Sequence, residues 1–269
     1  MTDFERPSLR GLELLRQILQ KPIKSDFEIA RGITIIEESA VEITILKSMI
    51  ENPIIEGVKR IGITGAPGVG KSTFLNKLIS SQDFKDFKIA IVAIDPSSRI
   101  THGAVLGDRI RFSRNTESKE IFFRSMATRG AYGGLNTSIE SVLLFLTNCE
   151  FSIIFVETVG VGQNEVQIAE CVDYVIHIVD SNSGDEVQME KAGIMEIGDV
   201  YFVNKRDDKI DDAFILNLKL FASNSNRTSR TKPEVVVGSA ISGEGFDKIT
   251  RQLNLIHQNE SGKGGARIK

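Results

Sequence analysis

Residues 65–72 read GAPGVGKS, directly behind the apolar run VKRIGIT, and complete the pattern G-x-x-x-x-G-K-[ST]. No other feature restricts the fold as tightly. Gly65, Gly68 and Gly70 permit backbone angles and close approaches that a side chain would block. Residues Gly65, Ala66, Pro67, Gly68, Val69, Gly70, Lys71, Ser72 and Thr73 therefore read as a phosphate cradle. Its amides face phosphate oxygens, and a helix from Lys71 aims its positive end at the same place. Lys71 is expected to reach the β- and γ-phosphates and Ser72 to ligate Mg²⁺. The alternative is a glycine turn that merely resembles the motif. At average glycine usage a chance match in a chain this long is on the order of one in a hundred. Placement between a strand and a helix lowers that further.

From residue 58 the texture fits such a loop. The short apolar runs VKRIGIT, FKIAIVAID, FSIIFVE, YVIHIVD, DVYFVNK and PEVVVGSA alternate with helical patterns near 71–81, 135–148, 186–197, 210–222 and 244–257. Runs nearly continuous in Val, Ile and Phe are what strands buried on both faces look like. The fold expected is an α/β, P-loop NTPase three-layer fold with a mostly parallel central sheet. An N-terminal helical segment over 1–55 precedes it. The nucleotide domain covers 56–258, and SGKGGARIK falls in a flexible tail over 259–269. Within the first segment, Leu9, Leu12, Leu15, Ile18 and Leu19 recur at helical spacing up to Pro22. A second helical stretch runs from a Ser25 or Asp26 cap to Asn52-Pro53, its many β-branched residues weighing against an unbroken helix.

Composition narrows the function. The chain has 269 residues, 41% hydrophobic and 26% charged, enough for one sizeable core in one large domain, or for two small domains. A net charge of -3 gives no global basic field for nucleic acid or an anionic membrane. Two cysteines make no disulfide framework, the N-terminus lacks an apolar signal core, and no stretch reaches membrane-spanning length. A cytoplasmic location is expected.

NKRD, Asn204 to Asp207, follows the strand-like DVYFV and matches N-K-x-D. Guanine offers N1–H and N2–H₂ as adjacent donors, which the Asp207 carboxylate accepts together. Adenine lacks the N1–H and leaves that carboxylate unpaired. Asn204 is expected to tie this segment to the phosphate loop, the Lys205 stem to cover the base, and the backbone at Ser239-Ala240 to read guanine O6. Alone, NKRD reads better as a surface turn; after a phosphate loop and at a strand end it favours GTP over ATP. Between these ends, Asp95 and Glu157 each close a predicted strand, where a Mg²⁺ contact belongs. Gly160 offers an amide to sense the γ-phosphate. Asp108 is a further metal candidate in LGDR, and Glu157 and Gln163 are candidates for placing the attacking water. Turn and helix-cap roles are the competing readings of these acids.

GITGAPGVGKST, IDPSS, LGDR, RSMATRG, VETVGVGQNE, SGDEVQ, KAGIME and VNKRD occur in this order, and together they resemble the MeaB/ArgK family of P-loop GTPases. ARGITIIEE is similar to that family's leading helices. The likeness spans roughly residues 8–257. It implies a chaperone GTPase, using GTP/GDP and Mg²⁺, that associates with a cobalamin-dependent mutase of the methylmalonyl-CoA mutase type and assists loading or protection of its cofactor. By the same resemblance Asp95, Asp108 and Glu157 match acidic positions around Mg²⁺, and residues 180–188 match a switch segment that relays nucleotide state to the mutase. The family usually carries a C-terminal extension with tryptophans that supports a homodimer. This chain has no Trp, so a homodimer would form without that family support. His102 stands where the family tends to have small residues. A metal-delivering GTPase is one alternative, but His102, His177, His257, Cys149 and Cys171 lack ligand spacing. A kinase of the ArgK label is another, without an identifiable acceptor pocket; a nucleotide-gated scaffold is a third.

Overall fold

The run KRIGIT forms β1 (Lys59–Thr64), with Ile61 and Ile63 buried on one face. The structure is a computed structural model that describes residues 9–50, 57–95, 121–127, 138–158, 160, 164–180, 196–205, 212–224 and 232–261. Six further strands join β1: β2 (Ile89–Asp95), β3 (Ile121–Ala127), β4 (Ile153–Glu157), β5 (Tyr174–Asp180), β6 (Val200–Asn204) and β7 (Glu234–Gly238). They form one sheet in the order β3-β2-β4-β1-β5-β6-β7, and every described pair is parallel. Parallel neighbours need crossover connections, which place helices over both faces. The α/β P-loop NTPase expectation holds.

The two faces follow from alternation along the strands. On one, Ile61, Ile63, Ile89, Ile91, Phe155, Ile176 and Ile178 pack under α4 (Lys71–Ile79) and α8 (Phe246–Ser261). On the other, Ala90, Val92, Ile154, Val156 and Val175 pack under α5 (Ile139–Thr147) and α6 (Asn164–Cys171). The helix α7 (Asp212–Asn224) covers Val179, Tyr201 and Val203 beside them. Among the described residues no helix is long and apolar enough to cross a membrane.

The N-terminal helices share the second face. Leu15, Ile18, Ile29, Ile33, Ile36 and Leu46 belong to the same buried cluster as Phe122, Val142, Phe145 and Phe151. They lie on α1 (Leu9–Gln20), α2 (Asp26–Glu38) and α3 (Ile43–Met49). Polar ties reinforce the packing. Arg124 of β3 pairs with Glu37 at 2.6 Å and donates to Thr34 Oγ1, and Ser141 Oγ donates to the Val41 carbonyl at 2.7 Å.

The second N-terminal helix starts from a Ser25–Glu28 capping box and, as its β-branched residues suggested, is not unbroken: it stops at Glu38, with Ala40 left-handed at φ 43°. Two elements differ from the sequence reading. The strand β3 was not expected, because Arg124 and Ser125 interrupt its apolar run; it lies at the sheet edge, where one polar side chain reaches Glu37 instead of the core. The eight-residue α6 was likewise not expected. The helix expected over 186–197 falls almost wholly outside the described residues.

Candidate functional site

Because the strands run the same way, Thr64, Asp95, Glu157, Asp180, Asn204 and Gly238 end theirs along one edge of the sheet. The strand order divides at β1, with β4, β2 and β3 on one side and β5, β6 and β7 on the other. In open parallel sheets the crevice at such a point is where ligands bind. The loop GAPGVG leaves β1 there. Gly65 has φ 136°, and a Cβ on it would stand 2.2 Å from the Ile178 carbonyl oxygen, so only glycine fits.

Lys71, 7% exposed, donates from Nζ to the carbonyls of Gly65 at 2.8 Å and Ala66 at 2.9 Å. Burial lowers its pKa, opposed by the nearby charges of Glu165 and Glu157. Ser72 Oγ donates to Glu157 Oε1 at 2.6 Å, so a hydroxyl and a carboxylate from separate elements converge at the start of α4. The Gly160 backbone packs on the phosphate loop: its φ is 87°, and a Cβ would lie 2.2 Å from the Gly65 carbonyl oxygen.

Asn204 bridges the far end of the site. Its Nδ2 donates to the Val69 carbonyl at 2.8 Å, and its Oδ1 accepts from the Ala240 amide at 2.9 Å. The Lys205 amide donates to Gly238, and its Nζ pairs with Glu244 at 2.8 Å. Ser239 Oγ accepts from the amides of Ile241 and Ser242, closing the turn beside Ala240. The structure thus brings Gly65–Thr73, Glu157, Gly160, Asn204, Lys205, Ser239 and Ala240 to one edge. Asp95 ends β2 on that same edge. Asp108, Gln163, Asp207 and His102 lie outside the described residues.

A family profile described as "Methylmalonyl Co-A mutase-associated GTPase MeaB" matches residues 29–269. The chain belongs to the MeaB family. It is thus a P-loop GTPase, a class that binds guanine nucleotide and hydrolyses GTP, as the motif resemblance implied. A putative GTPase of Pyrococcus abyssi is 39% identical over 91% of this chain and 78% of its own length. GTPase ArgK of Escherichia coli is 32% identical over 73% of this chain and 61% of its own. A solved LAO/AO transport system kinase superposes with a TM-score of 0.60 at 23% identity, over 94% of this chain and 76% of that one, a likeness of fold.

One residue of this MeaB-family site escaped the sequence reading. Glu165, 1% exposed in the first turn of α6, accepts from the Gly65 amide at 3.1 Å and from Thr158 Oγ1 at 3.0 Å. Burial raises its pKa, countered by the Gly65 amide, the Thr158 hydroxyl, Lys71 and the Gly160 amide. Its only sequence signal was an acid two residues beyond Gln163 in VGQNE, indistinguishable from a solvated helix start. His177 is packed in the sheet as read. Its Nδ1 lies 2.7 Å from Thr64 Oγ1, and burial pushes its pKa down to about 4.

Proposed function

We propose that this protein is a GTP-hydrolysing chaperone that assists a cobalamin-dependent acyl-CoA mutase of the methylmalonyl-CoA mutase type in loading or protecting its cofactor. The Ser72–Glu157 contact at the head of α4 carries the GTPase half of this reading, and membership of a family described as mutase-associated supports the other half.

The chain's residues divide the work. Amides of the phosphate loop and the N-terminus of α4 receive the phosphates. Lys71 exchanges its two loop carbonyls for β- and γ-phosphate oxygens, and Glu165 and Glu157 help keep it protonated in its buried site. Ser72 Oγ and Glu157 are paired hard-oxygen donors, a set that fits Mg²⁺, with Asp95 and Asp108 as further acids for that ion. Bound there, Mg²⁺ would neutralise charge on the β- and γ-oxygens. Glu157 and Gln163 orient the attacking water, and Gly160 offers its amide to the γ-phosphate. Asn204 keeps the base-reading segment in register with the phosphate loop, so that Asp207 meets guanine's two donors. Catalysis in such a site is placement plus charge stabilisation.

No arginine finger is visible among the described residues of these motifs, so slow hydrolysis is expected from the protein alone. Mutase bound against 180–188 would raise the rate, and by linkage it would tighten GTP binding by the factor that GTP tightens mutase binding. The test is steady-state GTP hydrolysis against rising methylmalonyl-CoA mutase, repeated with Asp185→Ala and Glu186→Ala. The rate should climb with mutase and climb less in the variants. A mutase that neither binds nor alters the rate overturns the chaperone assignment and leaves a GTPase with another client.

A further inference from the structure

We infer that Glu165 is a positioning residue that locks the turn after β4 to the first peptide of the phosphate loop, so that Thr158, Gly160 and the loop move as one unit. The inference deepens the GTPase reading and rests on it.

Gly65 is held from two sides by this neighbouring segment. Glu165 Oε2 accepts from its amide N–H at 3.1 Å, while the Gly160 backbone packs against its carbonyl oxygen, where even a Cβ would stand at 2.2 Å. The other carboxylate oxygen accepts from Thr158 Oγ1 at 3.0 Å, and Thr158 is the residue directly after Glu157. Its amide is fastened to the Ile63 carbonyl at 3.1 Å, two residues before Gly65. One buried side chain therefore joins the acid that faces Ser72, the glycine proposed to sense the γ-phosphate, and the loop that holds Lys71.

Charge and valence make the residue hard to replace. A carboxylate is acceptor-only, and here one oxygen meets the Gly65 N–H and the other the Thr158 hydroxyl. Burying it is unfavourable unless those donors are all engaged. Glutamine has the same shape but a single acceptor oxygen. Thr158 can face the new NH₂ group only by giving up its own donor role, and the charge that strengthens both contacts is lost. Aspartate is one methylene too short to span from α6 to both. Glu165→Gln thus loosens the junction while preserving the packing volume.

A loosened junction should show in turnover before it shows in binding. The phosphate cradle and Lys71 survive in the variant, so ground-state affinity is largely kept, whereas alignment of Glu157 and Gly160 on the γ-phosphate is not. Misplacement of catalytic groups by about an ångström can cost on the order of a hundredfold in rate. The experiment compares wild-type protein, Glu165→Gln and Thr158→Val by steady-state GTP hydrolysis, with thermal unfolding alongside. Expected for Glu165→Gln is a kcat lowered roughly tenfold or more with KM within about threefold, and for Thr158→Val a smaller loss of the same kind. Unchanged kcat in folded Glu165→Gln overturns the proposal. So does a loss of apparent kcat no larger than the unfolded fraction accounts for, with KM unchanged, which would make Glu165 a fold residue only. Should Glu165→Gln not fold, Thr158→Val decides alone: a kcat-selective loss supports the junction, and normal kinetics overturn it. A wild-type protein that does not hydrolyse GTP would instead remove the underlying GTPase reading.

Discussion

Ser72 Oγ and Glu157 Oε1 lie 2.6 Å apart although 85 residues separate them in sequence. The register of β1 and β4, which pairs Ile63 with Glu157, delivers the carboxylate to the helix that opens with Lys71 and Ser72.

If that pair holds Mg²⁺ and the attacking water, Glu157→Gln should reduce kcat by a hundredfold or so while guanine-nucleotide affinity changes little. The apparent Mg²⁺ requirement should rise with it. Steady-state kinetics over a Mg²⁺ titration check this, and equal losses in affinity and turnover would make Glu157 structural.

Asn204 ties Val69 to Ala240, and all its amide atoms are in use on buried backbone groups. Asn204→Ala strands both, at roughly 1–3 kcal/mol for each unsatisfied buried group. Nucleotide binding and unfolding temperature should fall together, because the base-reading and phosphate-binding ends lose their shared fastening. Titration calorimetry with GDP, paired with thermal denaturation, measures both.

Gly32 on α2 faces Phe145 on α5, and a Cβ there would come within 2.4 Å of the Phe145 ring. Both residues are buried, so the ring has little room to yield. Gly32→Ala gains helix propensity but overpacks the joint core, for a net loss of about 1–3 kcal/mol. Chemical denaturation should show a single transition moved to lower denaturant. Unchanged stability would mean that the N-terminal helices are only loosely seated on the sheet.

His177 sets part of the acid response. Its folded pKa of about 4 lies below the ordinary value of 6.5, because burial disfavours the imidazolium and Lys71 adds to that. The unfolded chain therefore binds the proton first as pH falls. The stability involved is fully present above about pH 6.5 and is lost progressively towards pH 4. Glu165, whose pKa is raised, contributes in the opposite sense. His177→Gln should flatten the wild-type loss of stability between those pH values, which unfolding midpoints at pH 5 and 7.5 will measure.

The legible parts of this molecule were those where chemistry or burial forces residue type. The glycines and Lys71 of the phosphate loop announced their own geometry, and the buried strands showed as continuous Val, Ile and Phe. Asn204 was expected at the phosphate loop and is bonded there, to Val69. Hidden were features whose meaning lies in a distant partner. Arg124 breaks the pattern of β3 only because Glu37, far away in sequence, receives it. Glu165 looks like any acid in a first helical turn until the sheet brings Gly65 and Thr158 to it. The place of the break, after Glu38, rests on the left-handed Ala40, a residue with no local turn signal.

Guanine-specific hydrolysis at this phosphate loop is tested most directly by phosphate release from equal GTP and ATP, by wild-type protein and by Lys71→Ala. Lys71 Nζ is bonded to two loop carbonyls, Gly65 and Ala66, and is placed to change partners when phosphate arrives. Release from GTP should stand well above release from ATP in the wild type and fall by about a hundredfold or more in the variant. Equal turnover of GTP and ATP, or a Lys71→Ala protein as active as wild type, would contradict it.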